Sequence, residues 1–185
     1  MEKKIRSIHI IINPAAGIGE SILPIINASM KEAGITWEAS ITHQGGDAIR
    51  YAKAAVKNGV DALAVYGGDG TLREAISGLI GSEIPLIILP GGSANVMANE
   101  LGLPTDLKEA CKLLSHGSLK TKIIDVGQFD KHVGHWQGKD ISVSSGSKQS
   151  VQCDGEVLEK VPQHIKIIPG AIKVLVPKKM DKIVE

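Results

Sequence analysis

Short apolar runs alternate with segments of helical periodicity along the first part of the chain. Residues 6–12 form a continuous, β-branched run that is typical of a buried strand, and residues 20–33 then keep a helical spacing up to Gly34. Residues 35–42 alternate apolar and polar positions as a half-buried strand does, and a helix is predicted over 48–57. Two strand–turn–helix units in succession indicate a parallel α/β arrangement.

The same order occurs twice more. Residues 61–66 and 84–89 predict strands, residues 72–79 and 94–101 predict the helices that follow them, and a further helix is predicted over 107–116. The fold class predicted from this pattern is an open, mostly parallel α/β sheet with helices on both faces.

Glycine-rich turns follow three of these strands, at residues 13–17, 67–71 and 91–93. The carboxyl ends of parallel strands share one edge of an open sheet, so one nucleotide could contact all three turns. Such a turn can also use glycine only for its backbone freedom. Asp69 favours a ligand site, because a carboxylate beside an anion-binding turn implies a bridging Mg²⁺. Thr71 adds a hydroxyl that can cap the following helix or contact phosphate.

Composition excludes several classes of function. The 185 residues are 43% hydrophobic, enough for a core, and 21 basic against 20 acidic residues leave no basic excess for nucleic acid. Cys111 and Cys153 are far apart, which argues against zinc and disulfides and fits a cytoplasmic compartment. The apolar run over 8–12 ends at Asn13-Pro14, so we interpret it as a strand and not as a signal peptide. No apolar segment approaches a membrane span, so contact with the inner membrane face is predicted to be peripheral.

Five motifs together carry the strongest functional signal. They are Asn13-Pro14-Ala15-Ala16-Gly17, Thr42 with Gly46-Asp47-Ala48, Gly67-Gly68-Asp69-Gly70-Thr71-Leu72-Arg73-Glu74, Pro90-Gly91-Gly92-Ser93-Ala94-Asn95, and Asp154-Gly155-Glu156. In this order the chain resembles the diacylglycerol kinase catalytic-domain family, which includes the bacterial lipid kinases and the sphingosine kinases. The resemblance covers residues 5–127 and resumes over about 141–177. Gly-Gly-Asp-Gly alone is less specific, because NAD kinases and phosphofructokinases carry it too.

The resemblance implies transfer of the ATP γ-phosphate to the free hydroxyl of a diacylglycerol-like lipid. The nucleotide site that it implies consists of Asn13, Pro14, Ala15, Ala16, Gly17, Thr42, Gly67, Gly68, Asp69, Gly70, Thr71, Leu72, Arg73, Glu74, Gly92, Ser93 and Asn95. Asp69 belongs to the implied Mg²⁺–phosphate network, and Asp125 fits a family position near the metal.

The implied base for the lipid hydroxyl is Glu156, with Asp154 as its catalytic neighbour. Each acidic position also has a purely structural interpretation. Asp154-Gly155 between two short apolar segments is a strong hairpin signal. A strand-end aspartate such as Asp125 is often a solvated cap.

Two features depart from the family pattern. Val96 follows Asn95 where many members carry aspartate, which removes one acidic contribution to the metal network. The interval between Val126 and Cys153 is too short for the second, β-sandwich domain of the family. The predicted division is a nucleotide-binding domain over 1–125, a remnant of the substrate domain over 126–177 and a tail over 178–185. Strands are predicted in the remnant over 139–145, 150–153, 163–168 and 171–176.

Three hypotheses about function follow. The chain is a lipid kinase, whose activity depends on what the short second domain retains, or it is a nucleotide-binding remnant or regulatory module that holds ATP without seating a lipid. The third hypothesis is a kinase of a soluble substrate such as NAD, against which the Asn-Pro-x-x-Gly and Asp-Gly-Glu motifs argue. Exposed strand edges in the remnant would also favour a homo-oligomer.

Overall fold

A computed structural model describes residues 4–17, 21–115, 119–129, 141–143, 151–153, 156–158 and 163–178. Their contacts divide the chain into two compact units. The first consists of Met1–Lys122 together with Ile172–Glu185, and the second of Ile123–Ala171.

Nine strands and five helices are defined in the described residues. In chain order they are β1 Ser7–Ile12, α1 Ile22–Ala33, β2 Thr36–Ile41, α2 Asp47–Asn58, β3 Ala62–Gly67, α3 Asp69–Leu79, β4 Leu86–Pro90, α4 Val96–Glu100, α5 Leu107–Ser115, β5 Leu119–Phe129, β6 Ile141–Val143, β7 Val151–Cys153, β8 Glu156–Leu158 and β9 Gln163–Pro177. None of the helices in these residues is both long and apolar enough to cross a membrane.

The strands of the main sheet are ordered β2-β1-β3-β4-β9-β5. β1 pairs in parallel with β2 and with β3, β3 pairs in parallel with β4, and β4 does so with β9. Within the second unit, β6 is antiparallel to β9, and β7 and β8 form a separate antiparallel pair. The predicted open, mostly parallel α/β sheet is therefore confirmed. The strand order reverses between β1 and β3, where ligands bind in folds of this type.

Both faces of the central strands are buried, which explains why these strands are continuous apolar runs. Every residue of β3 is buried. On one face, Ile8 and Ile10 of β1 belong to a core cluster with Ile26 and Met30 of α1 and with Cys111 of α5. On the other face, α2 lies close to β1 and packs closely against α3. Helices on both faces thus fix the ends of the strands that carry the glycine-rich turns.

One prediction about the C-terminal strands was wrong. Residues 163–168 and 171–176 were expected to be two strands, but they form the single strand β9. Pro169-Gly170 is a turn signal in sequence. Gly170 does adopt a positive φ of 59°, but its backbone N–H donates to the Asp125 carboxylate at 2.8 Å, and the strand continues. A bond to a distant aspartate is not visible in the local pattern.

Candidate nucleotide site

Three glycine-rich loops line one cavity of about 550 Å³ at the carboxyl ends of β1, β3 and β4. We call residues 13–17 loop 1, residues 67–71 loop 3 and residues 91–95 loop 4. The predicted nucleotide-site residues that line the cavity are Asn13, Ala15, Ala16, Gly17, Gly68, Gly70, Thr71, Gly92, Ser93 and Asn95. The expectation that the three turns meet at one edge of the sheet is therefore confirmed.

Asn13 connects loop 1 to loop 3. Its Nδ2 donates to Thr71 Oγ1 at 2.9 Å, and its Oδ1 accepts from the Ala15 backbone N–H at 2.9 Å. Its own backbone N–H donates to the Tyr66 carbonyl at 2.9 Å. The side chain thus uses both a donor and an acceptor. An amide carries both, whereas an ionised carboxylate has only acceptors.

Asn95 plays a corresponding role within loop 4. It is the only non-glycine residue with a positive φ, 46°, in the described part of the chain. Its Oδ1 accepts from the Gly92 N–H at 3.0 Å and its Nδ2 donates to the Gly92 carbonyl at 2.7 Å. Asparagine tolerates this left-handed conformation better than most residues because its short polar side chain bonds locally.

The loops approach one another too closely for side chains at two of the glycines. Gly17 has a φ of 87°, its N–H donates to the Gly91 carbonyl at 2.6 Å, and a Cβ there would overlap the Tyr66 hydroxyl. A Cβ on Gly92 would lie 2.7 Å from the Gly68 Cα. These contacts leave bare backbone in part of the cavity wall, and exposed backbone N–H groups are a surface that suits phosphate oxygens.

The helix α3 begins at Asp69, earlier than the predicted start at Leu72. The Leu72 N–H donates to the Gly68 carbonyl at 3.1 Å. The N–H groups of residues 69–71 precede that bond and have no acceptor within the helix. Gly70 faces open space where a Cβ would stand. The first turn of α3 therefore combines unused backbone donors with the positive end of the helix dipole.

Seven predicted nucleotide-site residues do not line the cavity: Pro14, Thr42, Gly67, Asp69, Leu72, Arg73 and Glu74. Thr42 is buried, and both its N–H, at 2.9 Å, and its hydroxyl, at 3.5 Å, donate to the Ile12 carbonyl. Leu72 is buried in the core. Glu74 accepts from the N–H groups of Gly46 at 2.9 Å and of Ala48 at 3.3 Å.

Asp47, beside these N–H groups, is 5% exposed and fully hydrogen-bonded. Its Oδ1 accepts from the Arg50 guanidinium at 2.9 Å, and its Oδ2 accepts from the N–H groups of His43 at 2.9 Å and Gln44 at 3.2 Å. The bond from Arg50, followed by the one from His43, lowers the pKa of Asp47 to about 2. Its carboxylate therefore stays ionised and holds the turn before α2.

Apart from Asp69, the acidic residues predicted for the metal and the base belong to later parts of the chain. In the second unit, Asp125 lies within β5 and not at a strand end, and its carboxylate accepts the Gly170 N–H bond at 2.8 Å. Cys153 pairs with Glu156 across the antiparallel strands β7 and β8, which is the register of a hairpin. Asp154 and the side chain of Glu156 lie outside the described residues. Among the described residues, no group of three or more His, Cys, Asp or Glu side chains could hold a metal.

Sequence reasoning missed several residues of the cavity wall. The missed residues are Ile22 and Tyr66, and Thr105, Asp106 and Leu107 at the start of α5. Pro90 and Gly91 also line the cavity and belong to a motif that the sequence analysis had identified. The start of α5 carries a local signal, since Asp106 Oδ1 accepts from the Glu109 N–H at 2.9 Å as an N-cap. Tyr66 is the last residue before the glycines of loop 3, and nothing in the sequence marks its contact with loop 1.

The arrangement defines an open α/β protein with a cavity lined by glycine-rich loops at the edge of its sheet. A family model described as the diacylglycerol kinase catalytic domain matches residues 7–129. The chain therefore belongs to the diacylglycerol kinase catalytic-domain family, and the resemblance seen in its motifs is confirmed.

Curated relatives in two Escherichia coli strains, O1:K1 / APEC and SMS-3-5 / SECEC, carry the name "Probable lipid kinase YegS". The chain is 40% identical to each over 115 residues, which are 59% of this chain and 38% of the relative. The match thus spans well under half the length of these relatives. A crystal structure of a diacylglycerol kinase from Bacillus anthracis str. Sterne is similar in fold, with a TM-score of 0.82 and 19% identity over 97% of this chain and 100% of that one.

Proposed function

We propose that this chain is an ATP-dependent lipid kinase that transfers the γ-phosphoryl group of ATP to the hydroxyl of a diacylglycerol-like lipid. The observation that carries the proposal is the single cavity formed by loops 1, 3 and 4 at the first turn of α3. Membership of the diacylglycerol kinase catalytic-domain family supports the same reaction.

In this proposal the phosphates of ATP lie against the glycine-rich wall of the cavity. The backbone donors of residues 69–71 face the negative charge, while Asn13 and Asn95 hold the loops in place through their amides. Phosphoryl transfer depends mostly on positioning and on charge stabilisation, so such a wall contributes directly to catalysis.

Magnesium is the proposed metal, with Asp69 as its proposed protein ligand. Mg²⁺ in kinases is bound by one or two carboxylates together with substrate phosphates, so the donor set needs no dense acidic cluster. Asp69 fits because it is half-buried in the first turn of α3, next to the donors proposed for phosphate. When bound, the ion supplies positive charge that stabilises the transferring group.

Glu156 is the proposed general base, and Asp154 is its neighbour. The lipid oxygen forms a bond to the γ-phosphorus while the bond from that phosphorus to the bridging oxygen breaks. ADP leaves with the electron pair, and the hydroxyl proton passes to the Glu156 carboxylate. The atoms balance with ATP and the lipid as the only substrates.

A kinase has to bind a bilayer lipid at the membrane surface, so we also propose that this chain makes peripheral contact with the inner membrane face from the cytoplasm. Cosedimentation of the chain with diacylglycerol-containing vesicles tests this contact. We propose in addition that exposed strand edges allow a homo-oligomer, which light scattering would detect.

The reaction is tested by incubating the chain with γ-labelled ATP and diacylglycerol micelles, beside Asp69→Ala and Glu156→Ala. The expected result is labelled lipid with the wild type and at least a hundredfold less with Glu156→Ala, the usual order for an acid–base residue. Asp69→Ala should also transfer much less label, because it removes the proposed metal ligand. Intact nucleotide binding with no transfer to lipid would refute the kinase proposal and favour the nucleotide-binding module. Transfer to NAD in a parallel reaction would favour the soluble-substrate kinase.

A further inference from the structure

Glu74 lies on α3, about one turn after Thr71. Its carboxylate bonds the start of α2 and does not line the cavity. Both of its oxygens accept backbone bonds at the start of α2, Oε1 from Gly46 at 2.9 Å and Oε2 from Ala48 at 3.3 Å. Glu74 is not part of the cavity wall. Its contacts are those of a side chain that joins two helices.

These bonds satisfy backbone N–H groups at the start of α2 that have no acceptor within the helix. The neighbouring Asp47 accepts the N–H groups of His43 and Gln44 in the preceding turn. Two carboxylates therefore surround the start of α2, and their negative charge disfavours a phosphate there. By contrast, α3 offers its first turn to the cavity through Gly70 and Thr71.

The two helices are also in close contact further along. A Cβ on Gly78 of α3 would lie 2.6 Å from the Ala52 Cβ and 2.7 Å from the Ile49 carbonyl oxygen of α2. Glu74 and Gly78 are four residues apart, so they define a line of contact along α3. On its other side, the first turn of α3 is held by the bond from Asn13 to Thr71.

We propose that Glu74 is a positioning residue for phosphate binding: by bonding the start of α2, it fixes the orientation of the first turn of α3. It makes no contact with the nucleotide itself. This inference rests on the proposed function, because it assigns the phosphates to that turn.

The test uses Glu74→Gln in the full chain and two probes, Mg·ADP and Mg·pyrophosphate, measured by titration calorimetry. The amide keeps the shape of the side chain but presents a donor where an acceptor is needed, so at least one backbone bond is lost. Both dissociation constants should rise by the same factor, up to about tenfold, because the energy of one charge-assisted hydrogen bond is the most that this internal contact can contribute to binding. Equal factors are expected because the variant disturbs the first turn of α3, where the diphosphate group that both probes share is proposed to bind.

Glu83→Gln is the matched control. Glu83 precedes β4, at the opposite end of that strand from loop 4, its side chain is 89% exposed, and it pairs with Lys173. Both probes should bind this variant as they bind the wild type. Glu74→Asp keeps the charge on a side chain one methylene shorter, so it should give a smaller, equal loss for both probes and serves where the glutamine variant does not fold.

Different results would overturn the inference in distinguishable ways. Weaker Mg·ADP binding with unchanged pyrophosphate binding would show that Glu74 contacts the nucleoside. Unchanged binding of both probes with only a lower unfolding midpoint would reduce Glu74 to a structural role. A wild type that binds neither probe would remove the basis of both proposals, whereas a wild type that binds Mg·ADP but phosphorylates no lipid would contradict the proposed function alone.

Discussion

The contact between Gly17 and Tyr66 gives a sharp test of how the cavity is built. Gly17→Ala introduces a Cβ that overlaps the Tyr66 hydroxyl, on a backbone whose φ is 87°. The left-handed conformation costs an alanine about 1–2 kcal/mol, and the overlap adds about 1–3 kcal/mol, as in an overpacked core. The unfolding free energy should therefore fall by about 2–5 kcal/mol, and Mg·ADP should bind more weakly because loop 1 has to move.

Tyr66→Phe separates the two contributions. Without the hydroxyl, the nearest atom to an alanine Cβ at position 17 is the ring Cζ at 3.4 Å, which is ordinary contact. The single Tyr66→Phe variant measures the effect of removing the hydroxyl alone and completes the cycle. The double variant should be more stable than the sum of the two losses by about 1–3 kcal/mol, the overlap that the missing hydroxyl relieves.

Gly59→Ala is the matched control for backbone strain. Gly59 has a φ of 68° and nothing within 4 Å of a Cβ, so it should lose only the strain of about 1–2 kcal/mol. Urea denaturation of the single and double variants measures the loss of unfolding free energy in each. Titration calorimetry measures how tightly each variant binds Mg·ADP. Strict additivity of Gly17→Ala and Tyr66→Phe, or equal losses at positions 17 and 59, would refute this account of the loop contact.

Three further predictions concern single hydrogen-bonded side chains. The pKa of Asp47 is lowered to about 2 from an ordinary 3.8, so its ionised form stabilises the fold above about pH 4 and this contribution is lost as the pH falls through 3.8 towards 2. Asp47→Asn should therefore lower the urea midpoint near neutral pH and converge on the wild type at about pH 2; a constant difference would contradict the role of its charge. Asn13→Ala removes the bonds to Thr71 and within loop 1, so denaturation should show a loss of about 1–2 kcal/mol and calorimetry a weaker binding of pyrophosphate. Asn95→Leu should destabilise the chain more than Asn95→Gly, because glycine adopts the left-handed backbone freely, and equal urea midpoints would argue against strain at this position.

The sequence was sufficient for the parts of the fold that depend on local pattern. The β-branched run before Asn13 predicts β1, and the glycines after residue 66 predict a turn at the sheet edge where loop 3 lies. The start of α3 was placed too late because Gly70 has a poor helix propensity. In the structure Asp69 begins the helix, and the glycine leaves the space in front of the first turn open.

The remaining parts of the site depend on contacts between distant residues. Thr42 and Glu74 belong to motifs that predict nucleotide contact, yet their side chains bond the Ile12 carbonyl and the start of α2. Tyr66 carries no motif, but its hydroxyl, together with the positive φ at residue 17, favours glycine there. Partners thirty or more residues apart in the chain, such as Thr42 and Ile12, are fixed by the register of the sheet and not by any local spacing.

The side chains that hold the cavity loops differ in charge from those that hold the start of α2, and the difference matches the negative charge of the proposed ligand. Loops 1 and 4 line the cavity and are held by the neutral amides of Asn13 and Asn95, whereas the start of α2 is held by the carboxylates of Asp47 and Glu74. A carboxylate in place of either amide would bring negative charge towards the proposed phosphates and would lack the donor that each amide uses. Asp106 does line the cavity, but one of its oxygens caps α5. The division between amides and carboxylates agrees with the proposed anion at the first turn of α3 and disfavours a phosphate at the start of α2.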